Sequence, residues 1–269
     1  MQNLRTYLEK KLEKGQKLLS VYLTAGYPTR QATLPLLHAI AEGGADFIEL
    51  GVPFSDPLAD GSTIQAASQV ALAAGASLHT TLESATQFRQ QSATPLVLMG
   101  YANPFMRLGW QRLIERVSEA GVHGYIIPDV PPEESAAIAG QMQAAGQSLI
   151  FLASPNTGAQ RIALIDKLTT SFIYAVSVTG TTGARTEIPQ ETIAFLQRLR
   201  KQTSHPLFVG FGISSRQTAQ KAAQYSDGVI VGSALLDRIG ACADVPSACR
   251  AAKAFVRDLK DGLLNQQKD

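Results

Sequence analysis

A single α/β barrel of eight parallel strands is the fold this 269-residue sequence predicts. Three observations carry it. Short apolar runs alternate with amphipathic stretches along the whole chain, and parallel strands need helical crossovers of that kind. Eight such repeats in roughly 250 residues favour a closed barrel over an open doubly wound sheet. No composition shift and no Gly/Ser- or Pro-rich linker divides the chain, so residues 1–269 read as one domain.

The elements follow in order. Residues 1–14 form a helix ahead of the barrel. The apolar run 18–24 is the first strand and 34–42 its helix. The second strand, 47–50, lies between Gly43-Gly44 and Gly51-Val52-Pro53, and two helices follow it, the additional 63–74 and then 78–90. Strand 95–99 leads to helix 109–120, strand 124–127 to helix 133–144, and strand 148–152 to helix 161–168. The last three pairs are 172–176 with 189–200, 207–209 with 216–223, and 228–231 with 246–264.

Composition limits the partners. Hydrophobic residues make up 45% and charged ones 17%, enough for a large core and too little charge for disorder. A net charge of +2 without a basic cluster argues against nucleic acid. The charged N-terminus lacks a signal-peptide core, and no run reaches the ~20 apolar residues that span a bilayer. The expected setting is the cytoplasm, away from membranes. Cys242 and Cys249, placed seven residues apart on one C-terminal helix, would sit ~10 Å apart and stay reduced.

Barrel chemistry gathers at the C-terminal ends of the strands. Glu49 is a carboxylate inside an apolar strand, and alternation puts it on the face of Phe47, opposite Ile48 and Leu50. Burying an unpaired carboxylate costs several kcal/mol, so an inward Glu49 is a candidate acid or base. Eleven residues later a Pro- and Gly-rich, mobile loop brings Asp60, a second carboxylate. Asp129 is expected to brace the turn before a helix, and Asp56 to shape its loop or touch a partner.

Anion binding is the second signal. The turns Gly210-Phe211-Gly212 and Gly232-Ser233 end the seventh and eighth strands and open helices, where backbone N–H groups can approach a phosphate. A third glycine-rich loop, residues 178–185, suits a lid. Tyr22, Tyr101, Tyr174 and Phe211 near strand ends suit an aromatic ligand. No lysine stands at a C-terminal strand end, which leaves a Schiff-base aldolase without its nucleophile. The four histidines, His38, His79, His123 and His205, fall on helices and strand starts, so no metal site is expected. Metal-free acid–base chemistry on a phosphorylated small molecule remains.

These residues together resemble the tryptophan synthase alpha chain family. The likeness rests on Leu23-Thr24-Ala25-Gly26-Tyr27-Pro28-Thr29, the segment from Phe47 to Gly61, Tyr101-Ala102-Asn103-Pro104, Ile127-Pro128-Asp129-Val130-Pro131 and Thr179-Gly180-Thr181-Thr182-Gly183-Ala184. It implies retro-aldol cleavage of indole-3-glycerol phosphate to indole and glyceraldehyde 3-phosphate, with Glu49 as acid/base and Asp60 at the indole N–H. It implies that Gly183, Gly212, Gly232 and Ser233 hold the phosphate and that Thr182 holds Asp60 on loop closure. Tyr22, Tyr101, Tyr174 and Phe211 would line the indole pocket. It further implies a beta chain partner in an alpha2beta2 tetramer, facing Pro53, Phe54, Asp56, Pro57, Asn103 and Phe105. The pyridoxal phosphate would belong to that partner, and none to this chain.

Three positions depart from the common family pattern: Tyr22 for Phe, Asn156 for Thr and Thr181 for Val. Tyr22 adds a hydroxyl to the indole pocket. A free-standing indole-glycerol phosphate lyase and a catalytically silent regulatory subunit stay open as alternatives. A sugar-phosphate isomerase on the same barrel is disfavoured by the aromatic pocket.

Overall fold

The computed structural model describes residues 3–176, 188–210 and 212–264. All its strand pairings are parallel. The strands are β1 (Leu18–Thr24), β2 (Phe47–Gly51), β3 (Leu96–Met99), β4 (Gly124–Ile126), β5 (Ser148–Ile150), β6 (Leu152–Ala153), β7 (Ile173–Val176), β8 (Leu207–Gly210) and β9 (Gly228–Val231). Their order around the sheet is β5-β4-β3-β2-β1-β9-β8-β7-β6.

The run predicted as one strand over 148–152 is divided at Phe151. Its first part pairs with β4 and its second with β7, and the Phe151 carbonyl accepts from Tyr174 N–H at 3.0 Å. One chain segment thereby changes neighbours and joins the two ends of the sheet, so nine short strands make the eight staves of a barrel.

The helices are α1 (Leu4–Leu12), α2 (Thr33–Gly43), α3 (Ser62–Ala73), α4 (Leu78–Gln91), α5 (Ala102–Leu108), α6 (Trp110–Glu119), α7 (Ala136–Ala144), α8 (Ala159–Leu168), α9 (Gln190–Gln202), α10 (Arg216–Ala223), α11 (Ser233–Gly240) and α12 (Val245–Leu264). Helix α5 lies between the strand 95–99 and the helix 109–120 of the sequence reading, which placed no element there. Pro104 is tolerated because it falls in the first helical turn, where its missing N–H costs nothing. Cys242 lies in the turn after α11 and Cys249 within α12, so the two do not share a helix, and both are free.

Side-chain alternation produces two cores. Outward residues such as Val21, Ile48 and Leu98 pack under the helices. Inward residues Leu18, Phe47, Val97, Ile126, Ile150, Phe172, Phe208 and Ile230 fill the barrel, and Leu4 and Leu8 of α1 close its N-terminal end. Phe47, Phe172 and Phe208 form a triad with ring centroids 4.6 to 5.3 Å apart. Each such aromatic pair adds ~0.5–1.5 kcal/mol beyond its buried area. Glu49 stands two residues beyond Phe47 on this face, so an apolar floor lies directly beneath it.

Asp46 pins the same end of the barrel. It is 1% exposed and accepts from Lys11 of α1, Lys260 of α12 and the Leu19 amide, at 2.6, 2.6 and 2.7 Å. Those three hydrogen bonds balance its desolvation, and removing one partner of a buried ion pair costs ~3–5 kcal/mol.

Candidate active site

β1 and β2 place the first carboxylate. Tyr22 pairs in register with Glu49, which pairs with Val97, and all three point inward. Glu49 is 0% exposed. Ser20 donates to its Oε1 at 2.7 Å, while Oε2 is buried without a hydrogen-bond partner. Burial pushes the Glu49 pKa up to about 8, against the Ser20 hydrogen bond, which pulls it down.

Asp60 arrives on the loop between β2 and α3. Hydrogen bonds brace that loop: the Ala59 amide donates to Tyr101 OH at 2.9 Å, and Asp60 N–H to the Pro57 carbonyl at 3.0 Å. Gln65 Nε2 donates to the Asp60 carbonyl at 2.8 Å, and Gln69 Nε2 to that of Ser55 at 3.3 Å. Burial raises the Asp60 pKa to about 6, opposed by a hydrogen bond from Tyr101. Tyr22 and Tyr174 each feel the charge of both carboxylates, and burial lifts both phenols well above their ordinary value. They stay neutral and line the space that the two acids share.

Glycines make room for these rings. A Cβ on Gly51 would run into the Tyr22 phenol, and one on Gly210 into the Tyr174 ring. Inward strand positions without side chains leave the volume to aromatic neighbours. Tyr101 stacks on Phe54 with centroids 5.3 Å apart.

The two glycine turns expected to meet a phosphate differ from one another. Helix α10 has its first amides engaged by a Ser215–Thr218 capping box. Gly232 starts α11 without any side-chain cap, so the Ser233 end of that helix offers amides with no intrahelical acceptor. Gly212, at φ +50°, is exposed in the β8–α10 turn. Thr182, Gly183 and Phe211, with the loop 178–185, lie outside the described residues.

The remaining predicted positions are divided. Asp56 and Asn103 are exposed, and Phe54 is half-buried. Pro53 and Pro57 are buried, and Phe105 is fully buried against Trp110 and Tyr125. Phe105 was expected on a partner-facing surface, but α5 turns it into the core and presents Met106, 61% exposed, instead. Leu58, 84% exposed, is the other large apolar side chain at this rim. Asp129 accepts from the Ala102 amide at 2.9 Å, so it caps α5 rather than the turn that follows its own strand. Sequence reasoning missed Ser20, a small hydroxyl in a largely apolar strand whose one signal is its even spacing from the inward Tyr22.

Among the described residues no group of three or more His, Cys, Asp or Glu side chains gathers as metal ligands. No described helix is long and apolar enough to cross a membrane.

The family model described as tryptophan synthase alpha chain matches residues 8–263. The tryptophan synthase alpha chain of Dechloromonas aromatica is 41% identical over 269 residues, covering 100% of both chains. The crystal structure of that chain from Legionella pneumophila superposes with a TM-score of 0.92 at 34% identity, covering 100% of each chain. A chain of the tryptophan synthase complex from Pyrococcus furiosus superposes at 0.84 with 37% identity, covering 91% of this chain and 98% of that one.

Proposed function

The chain belongs to the tryptophan synthase alpha chain family, and on that premise we propose how its residues divide the work. The reaction is the alpha reaction of tryptophan synthesis, the lyase cleavage of indole-3-glycerol phosphate to indole and glyceraldehyde 3-phosphate. Glu49 carries the proton. Protonated in the resting site, it gives its proton to indole C3, and the ring nitrogen takes up positive charge. The Glu49 carboxylate then removes the proton of the adjacent side-chain hydroxyl. The carbon–carbon bond breaks, its electron pair returns to the indole ring, and an aldehyde leaves with the phosphate.

Asp60 stabilises the cationic intermediate. A fixed anion in a desolvated site acts on a developing charge far more strongly than in water. The two acids take different roles because their surroundings differ. The observation that carries this reading is a fully buried Glu49 with one oxygen held by Ser20 and the other left without a partner, beside an Asp60 loop held by Tyr101 and Gln65. Burial accordingly raises the two pKa values to about 8 and about 6. Between them Glu49 holds a proton while Asp60 is charged, as the two steps require.

The uncapped start of α11, with Gly232 and Ser233, and the exposed Gly212 are the described groups that receive the phosphate, joined by Gly183. Tyr22, Tyr101, Tyr174 and Phe211 surround the indole, and Thr182 engages Asp60. The barrel acts as one domain in the cytoplasm. Steady-state release of indole tests the acid–base assignment. The kcat/KM profile, which reports the free enzyme, is expected to rise through about pH 6 and fall through about pH 8. A flat profile across that range would sink the proposed division of roles.

The partner is a tryptophan synthase beta chain that takes the indole, and the pyridoxal phosphate resides there. The surface proposed for it carries Phe54, Asp56, Leu58, Asn103 and Met106, with Pro53 and Pro57 shaping the loop from beneath. Exposed leucine and methionine beside a site mouth are the kind of patch an interface covers. Light scattering of mixed alpha and beta chains is expected to give the mass of two copies of each. Two separate species at micromolar concentration would count against the pairing.

A further inference from the structure

We propose that Ser20 is a positioning residue for the cleavage, fixing which oxygen of Glu49 carries the working proton. The proposal rests on Glu49 being the proton carrier. Ser20 lies on β1 two residues before Tyr22, inward, in register with Phe47. Its Oγ is 2.7 Å from Glu49 Oε1, and both residues are 0% exposed.

Ser20's own hydrogen is spent on Oε1. In the arrangement where Ser20 donates to Oε1, a protonated Glu49 carries its hydrogen on Oε2, the oxygen without a hydrogen-bond partner among the described residues. The hydrogen bond also settles the rotation of the carboxyl group. Without it, the two oxygens become equivalent and the acid hydrogen has two places to sit. A carboxyl that must give a proton and then take another gains from presenting the same oxygen to both steps.

The surroundings leave this task to Ser20. On β1 the neighbouring titratable group is Tyr22, on β7 it is Tyr174, and the β2–α3 loop brings Asp60 with Tyr101 beside it. β3 contributes Val97, β8 contributes Phe208 and Gly210, and β9 contributes Ile230, none of which has a side-chain donor. Among the described residues, Ser20 supplies the hydrogen bond to Glu49. Its donation also opposes the rise in pKa that burial causes.

The test is the set Ser20→Ala, Ser20→Val and Ser20→Thr, with Glu49→Gln made alongside and folding checked by urea unfolding. Ser20→Ala and Ser20→Val are expected to lower kcat about tenfold, the worth of one hydrogen bond to a charged group, with KM within about twofold. The alkaline limb of the kcat/KM profile is expected to move upward, because a donor to the carboxylate is lost. Ser20→Thr restores both. Unchanged kcat and an unmoved limb in the alanine and valine variants, beside an inactive Glu49→Gln, would overturn the role of Ser20 alone. Equal losses in the threonine and alanine variants would also overturn it, since shape rather than the donor would then decide. An active Glu49→Gln would instead remove the assignment on which the proposal rests.

Discussion

Glu49→Gln is expected to lose at least about 10³-fold in kcat for indole release and to unfold at higher urea than the parent at alkaline pH. The first effect follows from removing a proton carrier whose contribution is typically ~10²–10⁴-fold. Glutamine keeps the shape and still accepts from Ser20, so the pocket survives. Turnover within tenfold of the parent would refute the role.

The second effect is the opposite of what most buried side chains show. A carboxyl with its folded pKa raised from 4.5 to about 8 holds its proton longer in the folded chain than in the unfolded one. Stability is untouched below about pH 4.5, declines between there and about pH 8, and stays lowered above. At ~1.36 kcal/mol per pH unit the full cost is about 5 kcal/mol. Glutamine escapes it but brings an amide donor into an apolar site at a cost of about 1–3 kcal/mol, so a net gain of about 2–4 kcal/mol is expected at pH 9 and a net loss of up to about 2 kcal/mol at pH 5. An equal gain at both pH values would mean that Glu49 is not held protonated. The site thus costs the fold stability in return for reactivity, as functional sites commonly do.

Asp60→Asn is expected to lower kcat about 10²–10³-fold with little change in KM. Asparagine fits the same space and can keep a hydrogen bond to Tyr101, so the loop stays braced through Ala59, Gln65 and Gln69. What disappears is the negative charge that faces the cationic intermediate. The residual activity should also lose its rise through about pH 6, since the group that titrates there is gone. A variant within threefold of the parent, or one that keeps the rise, would show that Asp60 only shapes the loop.

Much of the barrel was legible because its signals are local. Strand β1 and helix α10 fall where the periodicity places them, because apolar alternation and the Ser215 cap are properties of neighbouring residues. The inward aim of Glu49 was readable from its parity with Phe47. Elements that depend on distant contacts were not. Helix α5 is held at its start by Asp129, 27 residues away, and nothing within Ala102–Leu108 announces that support. Phe105 belongs to the core for a similar reason, since the α5 surface it occupies is chosen by Trp110 and Tyr125.

The sequence by itself determined the barrel, the inward carboxylate, the second acid on its loop, the glycine turns and the family that they signify. These follow from side-chain period, turn chemistry and residue order, all of which operate within a few residues. Only the tertiary structure decided the state of those groups. The Phe47–Phe172–Phe208 floor desolvates Glu49, and Ser20, 29 residues before it, engages one of its two oxygens. Lys260, 214 residues from Asp46, anchors the barrel end beneath them. A pKa is set by what surrounds a group in space, and the closed ring of strands, not the order of residues along the chain, chooses those surroundings.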